Sequence, residues 1–242
     1  MARSRQQPLP FRSRGGKRPG AGRPPRGPRS SERHKRRPHL EAQHPVHVTL
    51  RTVAAIGRLR RRRVYQAVRS ALAVTVRRTD FRICHVSIQA NHIHLIVEAD
   101  NERALARGMQ GFQISCARQI NARLGRSGGQ VFADRYHPEI LTSPRRVRNA
   151  VRYVLNNWRH HGEDRGTTQA LDPYSSAAGF DGWRDRRNLT RLRPGDEILP
   201  VAFPTVWLLT TGWRRHGLVG TRERPGPAIG DDPGLPVPTS SS

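Results

Sequence analysis

Two histidines separated by a single residue are the first feature of this sequence that suggests chemistry. They form the triplet His92-Ile93-His94 at the start of the largely apolar stretch HIHLIVEA, residues 92–99. Residues two apart on a β-strand point to the same face, so both imidazoles can bind one divalent metal ion. A pair of surface histidines on an exposed sheet face has the same spacing, and His85 is interpreted as a structural histidine rather than a third ligand.

A tyrosine on an arginine-rich helix is the second feature. Tyr153 lies in RRVRNAVRYVLNNWRHHG, where a spacing of four puts Asn149, Tyr153 and Asn157 on one helix face. A tyrosine in this setting is either a core aromatic or a nucleophile, and nearby cations favour the phenolate form that attacks. Tyr136, in an extended segment, is the competing tyrosine. Five arginines on the helix suit a face turned toward phosphates: Arg145, Arg146, Arg148, Arg152 and Arg159.

The elements that must position these residues follow from hydrophobic periodicity and from cap and turn residues. Strands are predicted over residues 44–53, 81–89, 92–99 and 131–142, and helices over residues 64–78, 102–124 and 144–160. Only Ala90-Asn91 separates the second and third strands, which indicates an antiparallel hairpin. Strict alternation along the second strand places Ile83 and His85 on one face and Cys84 on the other.

The order of these elements predicts the fold class. Strand, helix, two strands, helix, strand and helix form the split βαβ arrangement of a ferredoxin-like α+β fold. We therefore expect an antiparallel sheet with helices on one face.

Charge divides the chain into regions. Its 242 residues include 44 Lys and Arg against 18 Asp and Glu, a net charge of +26. Residues 1–41 hold 13 basic and 2 acidic side chains, residues 42–162 hold 21 and 6, and residues 163–242 hold 10 of each. Basic surfaces of this kind bind nucleic acid by releasing counterions from its phosphates. Nucleic acid is therefore the predicted partner.

Composition predicts four segments. Residues 1–43, rich in Arg, Pro and Gly, are predicted to be a disordered basic arm, and residues 44–162 the folded domain. A C-terminal extension over 163–220 contains AFPTVWLLTTGWRRHG, predicted to form one short tryptophan-containing helix, and a disordered tail follows over 221–242. No apolar run reaches the roughly 18 residues that span a bilayer, and no secretory signal is recognisable. Cys84 and Cys116 are too few for a disulfide framework and have no partner for a zinc finger. We therefore expect a soluble cytoplasmic protein.

Three stretches together resemble a known family. NHIHLIVEA (91–99), FADRYHPEIL (132–141) and the helix with Tyr153-Val-Leu-Asn-Asn157 are similar to the single-tyrosine HUH transposases, and most of all to the REP-associated tyrosine transposases. The resemblance covers about residues 44–162, and DPYSSAAGFDGW (172–183) is also similar to family members. The family often has His where this chain has Leu155 and Pro where it has Trp158.

The resemblance implies a ferredoxin-like nuclease core that acts on single-stranded or hairpin DNA. It implies that His92 and His94 are metal ligands for Mg²⁺ or Mn²⁺, that Asn157 is the third protein ligand and that Tyr153 is the nucleophile. Cleavage would then pass through a 5′-phosphotyrosine and leave a free 3′-hydroxyl that can reverse the step. The helix arginines Arg145, Arg146, Arg148 and Arg152 would hold DNA by its phosphates. The oligomeric state, monomer or homodimer, stays open.

Three other functions compete with this interpretation. A carboxylate-dependent nuclease needs several clustered acids, and residues 42–162 contain only six, several of which look like cap or turn residues. A domesticated DNA-binding or regulatory protein could keep the fold without cleaving DNA. A structural RNA-binding protein would need exposed aromatics on its sheet, and the inner strands carry few.

Overall fold

Four antiparallel strands form the sheet that positions the candidate residues. They are β1 (Val46–Arg51), β2 (Phe81–Ile88), β3 (His92–Ala99) and β4 (His137–Ile140). Their spatial order is β2-β3-β1-β4, so β3, which begins with the histidine pair, lies in the interior of the sheet. The computed structural model describes residues 38–185 and 198–225.

Three long helices connect and cover the strands. They are α1 (Arg62–Thr75), α2 (Glu102–Arg123) and α3 (Pro144–His160), and a short fourth helix, α4 (Trp207–Thr210), follows in the C-terminal extension. The helices α2 and α3 each begin after a capping side chain. The Asn101 side chain accepts hydrogen bonds from two backbone N–H groups, and the Ser143 hydroxyl accepts one ahead of Pro144.

The helices α1 and α2 pack on one face of the sheet. Apolar side chains that alternate along the strands meet apolar stripes of both helices in a single core. Gly108 of α2 lies against the ring of Phe81, so close that a Cβ on Gly108 would overlap it. The core includes Val46, Val48, Leu50, Val86, Ile88, Ile93, Leu95 and Val97 from strands, with Val64, Val68, Leu72, Leu105, Met109 and Phe112 from helices.

The helix α3 lies on the opposite face of the sheet, together with the C-terminal extension. Its apolar side chains join Cys84 and Ile96 of the sheet and Trp183 and Trp213 of the extension in a second core. The predicted ferredoxin-like α+β class is confirmed, and one detail differs: helices cover both faces rather than one. As a result, the His92 and His94 side of β3 is covered by α3 and is not an open sheet surface.

A bulge in β2 changes the predicted faces of that strand. The pairing with β3 shifts between Ile83 and His85, so strict alternation fails at Cys84. Ile83 packs in the core beneath α1 and α2, whereas Cys84 packs in the core beneath α3. The His85 ring contacts Phe180 of that second core, with ring centroids 5.4 Å apart, so His85 lies on the same side as Cys84. The prediction that Ile83 shares a face with His85 was therefore wrong.

Two predicted segment boundaries also differ from the structure. Leu40 falls within the predicted basic arm but is buried in the first core. Glu223 falls within the predicted tail, yet its carboxylate forms ion pairs with Arg148 and Arg152 of α3. The rest of the predicted arm, residues 1–37, and of the predicted tail, residues 226–242, lies outside the described residues. Over the described ranges, no helix is long and apolar enough to cross a membrane.

Candidate active site

The candidate nucleophile lies directly over the second histidine of the pair. Tyr153 of α3 meets His94 of β3 edge to face, with ring centroids 5.2 Å apart. Both side chains are buried, with exposed fractions of 9% for Tyr153 and 4% for His94. The predicted pairing of these two residues is therefore present in the fold, although they are far apart in the sequence.

The first histidine of the pair meets the end of the same helix. His161, the C-cap of α3, packs against His92 with ring centroids 5.1 Å apart. The His92 and His94 rings are 4.7 Å apart, as expected for neighbours on one strand face. The Nδ1 atom of His92 lies 2.8 Å from Oδ1 of Asn91, so the His92 ring is oriented by the residue before it.

Asn157 lies between these two contacts on the helix. It is one turn from Tyr153, which touches His94, and one turn from His161, which touches His92. The Asn157 side chain is fully buried, and neither its oxygen nor its nitrogen has a hydrogen-bond partner in the described part of the chain. A buried amide without partners costs free energy, roughly 1–3 kcal/mol for each unsatisfied group. Such a group is typical of a site that binds something further.

The hydrogen bonds of His94 leave one of its ring nitrogens available. Its Nδ1 lies 3.2 Å from Oγ1 of Thr49 and 3.3 Å from Nε2 of His47. Its Nε2 is buried and has no partner among residues 38–185 and 198–225. If Nδ1 carries the proton and donates it to a neighbour, Nε2 keeps its lone pair for a ligand.

Burial holds both histidines of the pair in the neutral form. Burial, followed by the nearby His161 and Arg51, lowers the pKa of His92 to about 4. Burial also lowers the pKa of His94 well below its ordinary value, and the surrounding histidines lower it further. Neutral imidazole is the form that binds a metal ion, so both residues are ready to act as ligands at neutral pH.

His47 is a site residue that the sequence analysis missed. It lies on β1, stacks on His94 with ring centroids 5.3 Å apart and meets Tyr153 edge to face at 5.8 Å. Its Nδ1 lies 4.0 Å from the Glu139 carboxylate on β4. Alternation along β1 puts His47, Thr49 and Arg51 on one face of the sheet. Thr49 and Arg51 pair with His94 and His92 of β3, so these two polar residues were the signal in the sequence that could have pointed to His47.

The donor set fits a divalent metal ion in its chemistry. Nε2 of His94 and the amide of Asn157 are both buried and have no hydrogen-bond partner in the described ranges, so both are available to bind a metal ion. Imidazole and amide oxygen are ligands that Mn²⁺ accepts, and Mg²⁺ prefers the oxygen. No group of three or more His, Cys, Asp or Glu side chains is arranged to hold a metal in the described ranges, so the amide is needed to complete this set.

Comparison with known proteins connects this geometry to a family. Residues 42–157, which include both histidines, Tyr153 and Asn157, match the family described as "Transposase IS200 like". Over these residues the chain is similar to the IS200-like transposases.

One solved structure and the curated proteins were also compared with the chain. The structure of a REP-associated tyrosine transposase bound to a REP hairpin is 18% identical, covers 59% of this chain and 81% of that chain, and has a TM-score of 0.44. No curated protein matches the chain.

The arginines of α3 do not share one role. Arg148 donates to both carboxylate oxygens of Glu223 and to two backbone carbonyls of the extension, and Arg152 also donates to Glu223. Arg145 and Arg146 are exposed, and Arg146 pairs with Glu139. The guanidinium groups of Arg148 and Arg152 hold the C-terminal extension against α3, and their contact with DNA stays a prediction.

The acidic residues that the sequence offers as candidate ligands form separate structural contacts. Glu98 is buried, pairs with Arg82 and accepts hydrogen bonds from the backbone of Thr205 and Val206 just before α4. Asp80 pairs with Arg78. These contacts give no support to a carboxylate-dependent nuclease. The RNA-binding alternative is also disfavoured, because α3 covers the sheet face that would carry exposed aromatics.

Proposed function

We propose that this chain is a metal-dependent single-stranded DNA endonuclease and strand transferase of the REP-associated tyrosine transposase kind. It cleaves and rejoins DNA at hairpin-flanked sites through a 5′-phosphotyrosine. The observation that carries the proposal is the face of α3 on which Tyr153, Asn157 and His161 lie over His92 and His94. The match of residues 42–157 to the IS200-like transposase family supports it.

His92, His94 and Asn157 would hold the metal ion. Their side chains combine two neutral imidazoles with one buried amide that lacks a partner in the described chain. When bound, the ion supplies Lewis-acid stabilisation of the negative charge that develops on the phosphate oxygens. The identity of the ion, Mg²⁺ or Mn²⁺, is part of the proposal and is decided by the activity each supports.

Tyr153 supplies the nucleophile. Its phenol oxygen forms a bond to the scissile phosphorus, and the bond from phosphorus to the 3′-oxygen breaks. The phenol proton leaves the tyrosine, and the departing 3′-oxygen gains a proton and becomes a free hydroxyl. The 5′-phosphate stays on Tyr153, so attack by a 3′-hydroxyl on this phosphotyrosine restores a DNA strand without an external energy source. The buried position of Tyr153 excludes water from this intermediate.

Basic groups outside the site bind the DNA backbone. Arg145 and Arg146 are exposed near the start of α3 and are suited to phosphate contacts. The first 37 residues contribute 13 further basic side chains with one acidic side chain. The related structure is a complex with a REP hairpin, and we propose a DNA hairpin as the partner of this chain too.

The test is the capture of a covalent adduct on hairpin DNA. Labelled single-stranded hairpins from the flanks of the gene are incubated with the full chain and Mn²⁺ or Mg²⁺, and adducts are resolved on denaturing gels. We expect an adduct only with single-stranded substrate, and none for His92→Ala or His94→Ala, which should still bind the hairpin. Hairpin binding without any adduct would instead support the non-cleaving regulatory alternative.

A further inference from the structure

A cavity of about 340 Å³ lies beside the candidate site and has no role in the proposed chemistry. It is bordered by the loop that precedes α1 and by the segment that follows α3. The side chains that matter below are Arg58, Arg61, Trp158, Glu163 and Gln169. Its volume falls at the lower end of the range of small-molecule pockets, roughly 300–1,000 Å³.

The cavity adjoins the elements that carry the proposed metal ligands. Trp158 directly follows Asn157 on α3, and the Glu163 backbone N–H donates to the Trp158 carbonyl at 2.9 Å. On the other side, the Leu59 N–H donates to the Ala90 carbonyl at 2.7 Å, two residues before His92. These hydrogen bonds place the lining of the cavity next to the backbone that carries His92 and Asn157.

The cavity offers polar groups that the protein itself does not satisfy. The indole N–H of Trp158 is buried and has no hydrogen-bond partner in the described ranges. The Arg61 guanidinium is exposed and forms no ion pair within the same ranges, unlike Arg58, which pairs with Glu163 at 2.7 Å. Arg58 and Arg61 thus border a cavity whose lining includes Trp158 and its unpartnered donor.

We propose that this cavity binds one unpaired nucleotide of the DNA strand next to the scissile phosphate. Arg61, with Arg58, contacts the phosphate of that nucleotide, and the base edge enters the cavity. The Trp158 indole donates to an acceptor on the base, and the Glu163 carboxylate accepts from a base amino or imino group. This inference rests on the proposed function, since it assigns part of the strand to a subsite of the same enzyme.

Recognition in this cavity depends on base edges rather than on stacking. One face of the Trp158 ring is covered by the Arg159 guanidinium, 4.7 Å from the ring, and the Tyr174 ring is covered by Arg60 at 4.2 Å. Arg60 is itself fixed by a buried ion pair with Asp172 at 2.8 Å. The aromatic walls are therefore rigid and occupied, and the groups left for a ligand are hydrogen-bonding ones.

The experiment combines substitutions in the protein with abasic sites in the DNA. Hairpin oligonucleotides from the flanks of the gene are made with each unpaired nucleotide replaced in turn by an abasic site. Binding to the full chain carrying Tyr153→Phe is measured by fluorescence anisotropy without metal, so that cleavage does not interfere. Trp158→Phe removes the indole donor and keeps a ring, and Arg61→Ala removes the cation at the mouth. Arg62→Ala is the control that removes an equal charge outside the cavity.

We expect one abasic position at which the effects on Kd of removing the base and of Trp158→Phe are not additive. At this position the coupling should be about two- to tenfold in Kd, the range of one hydrogen bond. Arg61→Ala should weaken binding of every hairpin more than Arg62→Ala does. Additive effects at every position, or equal effects of the two arginine variants, would overturn the proposal.

The proposed function is tested in a separate assay with the same hairpin DNA. The chain with Tyr153 intact either forms a covalent adduct on the unmodified hairpin or does not. An adduct with additive binding effects would leave the function standing and remove the nucleotide subsite. Coupling at one position without an adduct would leave the subsite standing and remove the cleavage activity, and absence of hairpin binding would overturn both.

Discussion

Nε2 of His47 lies 3.3 Å from Nδ1 of His94, and the other ring nitrogen of His47 faces the Glu139 carboxylate at 4.0 Å. The three groups lie on three adjacent strands of the sheet, with His47 directly opposite Glu139 in the register of β1 and β4. A proton on Nδ1 of His47 that points to Glu139 leaves its Nε2 as an acceptor for the N–H of His94. This arrangement favours the His94 tautomer whose Nε2 keeps its lone pair, which is the form that the proposed metal site requires.

His47 should therefore raise metal affinity without touching the ion. Replacement of a residue that orients a metal ligand typically lowers affinity by about 10- to 100-fold. We expect His47→Ala to weaken Mn²⁺ binding by about tenfold, since Thr49 still accepts from Nδ1 of His94. Isothermal titration of the full chain with Mn²⁺ measures the effect.

A conservative variant separates orientation from packing. His47→Gln keeps an amide oxygen that can accept from His94, so it should recover most of the affinity that His47→Ala loses. Unchanged Mn²⁺ affinity in His47→Ala would show that His47 plays no part in orienting the ligand.

The arginines of α3 should divide into stabilising and DNA-binding groups. Arg148→Ala removes hydrogen bonds to Glu223 and to the carbonyls of Gly217 and Leu218. Hydrogen bonds to charged groups contribute roughly 1.5–3 kcal/mol, so we expect a loss of about 2 kcal/mol in the free energy of unfolding. Urea denaturation checks this value.

Arg145→Ala is the matched variant, because it removes the same charge from an exposed position near the start of the same helix. It should leave stability within about 0.5 kcal/mol and weaken hairpin binding. The assignment is wrong if the two variants exchange these effects.

Much of the fold could be predicted from local pattern. The bounds of α2 and α3 follow from periodicity and from Asn101 and Ser143, because a cap is a contact between neighbours in the sequence. The proximity of His94 and Tyr153 could also be predicted, since the family resemblance supplied the long-range pairing that periodicity lacks.

The failures have physical causes that are nonlocal. The bulge at Cys84 depends on the pairing of β2 with β3, which no alternation within β2 reveals. The contact of Arg148 with Glu223 was not predicted, because Glu223 is 75 residues away in a segment predicted to be disordered. His47 was missed because the residues around it in β1 do not indicate its contact with Tyr153, which lies far away in the sequence.

His85 should make the fold sensitive to acid. Burial lowers its pKa to about 4, an effect that Asp181 opposes only in part. The pKa of His85 in the unfolded chain is near 6.5, so below this pH the unfolded chain binds a proton that the folded chain does not bind. The free energy of unfolding therefore falls as the pH drops from 6.5 toward 4. We expect His85 to account for a loss of about 2–3 kcal/mol between pH 7.5 and pH 4.5.

The variant His85→Gln removes this titration and keeps a polar side chain at the position. Its unfolding free energy, measured by urea denaturation at both pH values, should fall less on acidification than that of the parent chain. An identical pH dependence in the two proteins would mean that His85 is protonated in the folded state or does not titrate differently on unfolding.

The first 37 residues should contribute binding energy that depends on salt. They hold 13 basic side chains and one acidic side chain and precede the buried Leu40, so their deletion leaves the described core intact. For every DNA phosphate that this arm neutralises, deletion should reduce the slope of log K against log salt by about 0.7–0.9. Anisotropy titrations of hairpin DNA from low to high salt compare the two proteins, and equal slopes would contradict a DNA-binding arm.

The central claim is that Tyr153 is the residue that carries the DNA. Its ring lies 5.2 Å from that of His94, whereas Tyr136 lies in the extended segment before β4. The most direct measurement is mass-spectrometric mapping of the peptide that holds DNA in the trapped adduct, with Tyr153→Phe and Tyr136→Phe in parallel. The account predicts DNA attached through its 5′-phosphate to the Tyr153 peptide, no adduct for Tyr153→Phe and most of the activity in Tyr136→Phe. DNA on the Tyr136 peptide, or an undiminished adduct in Tyr153→Phe, would contradict it.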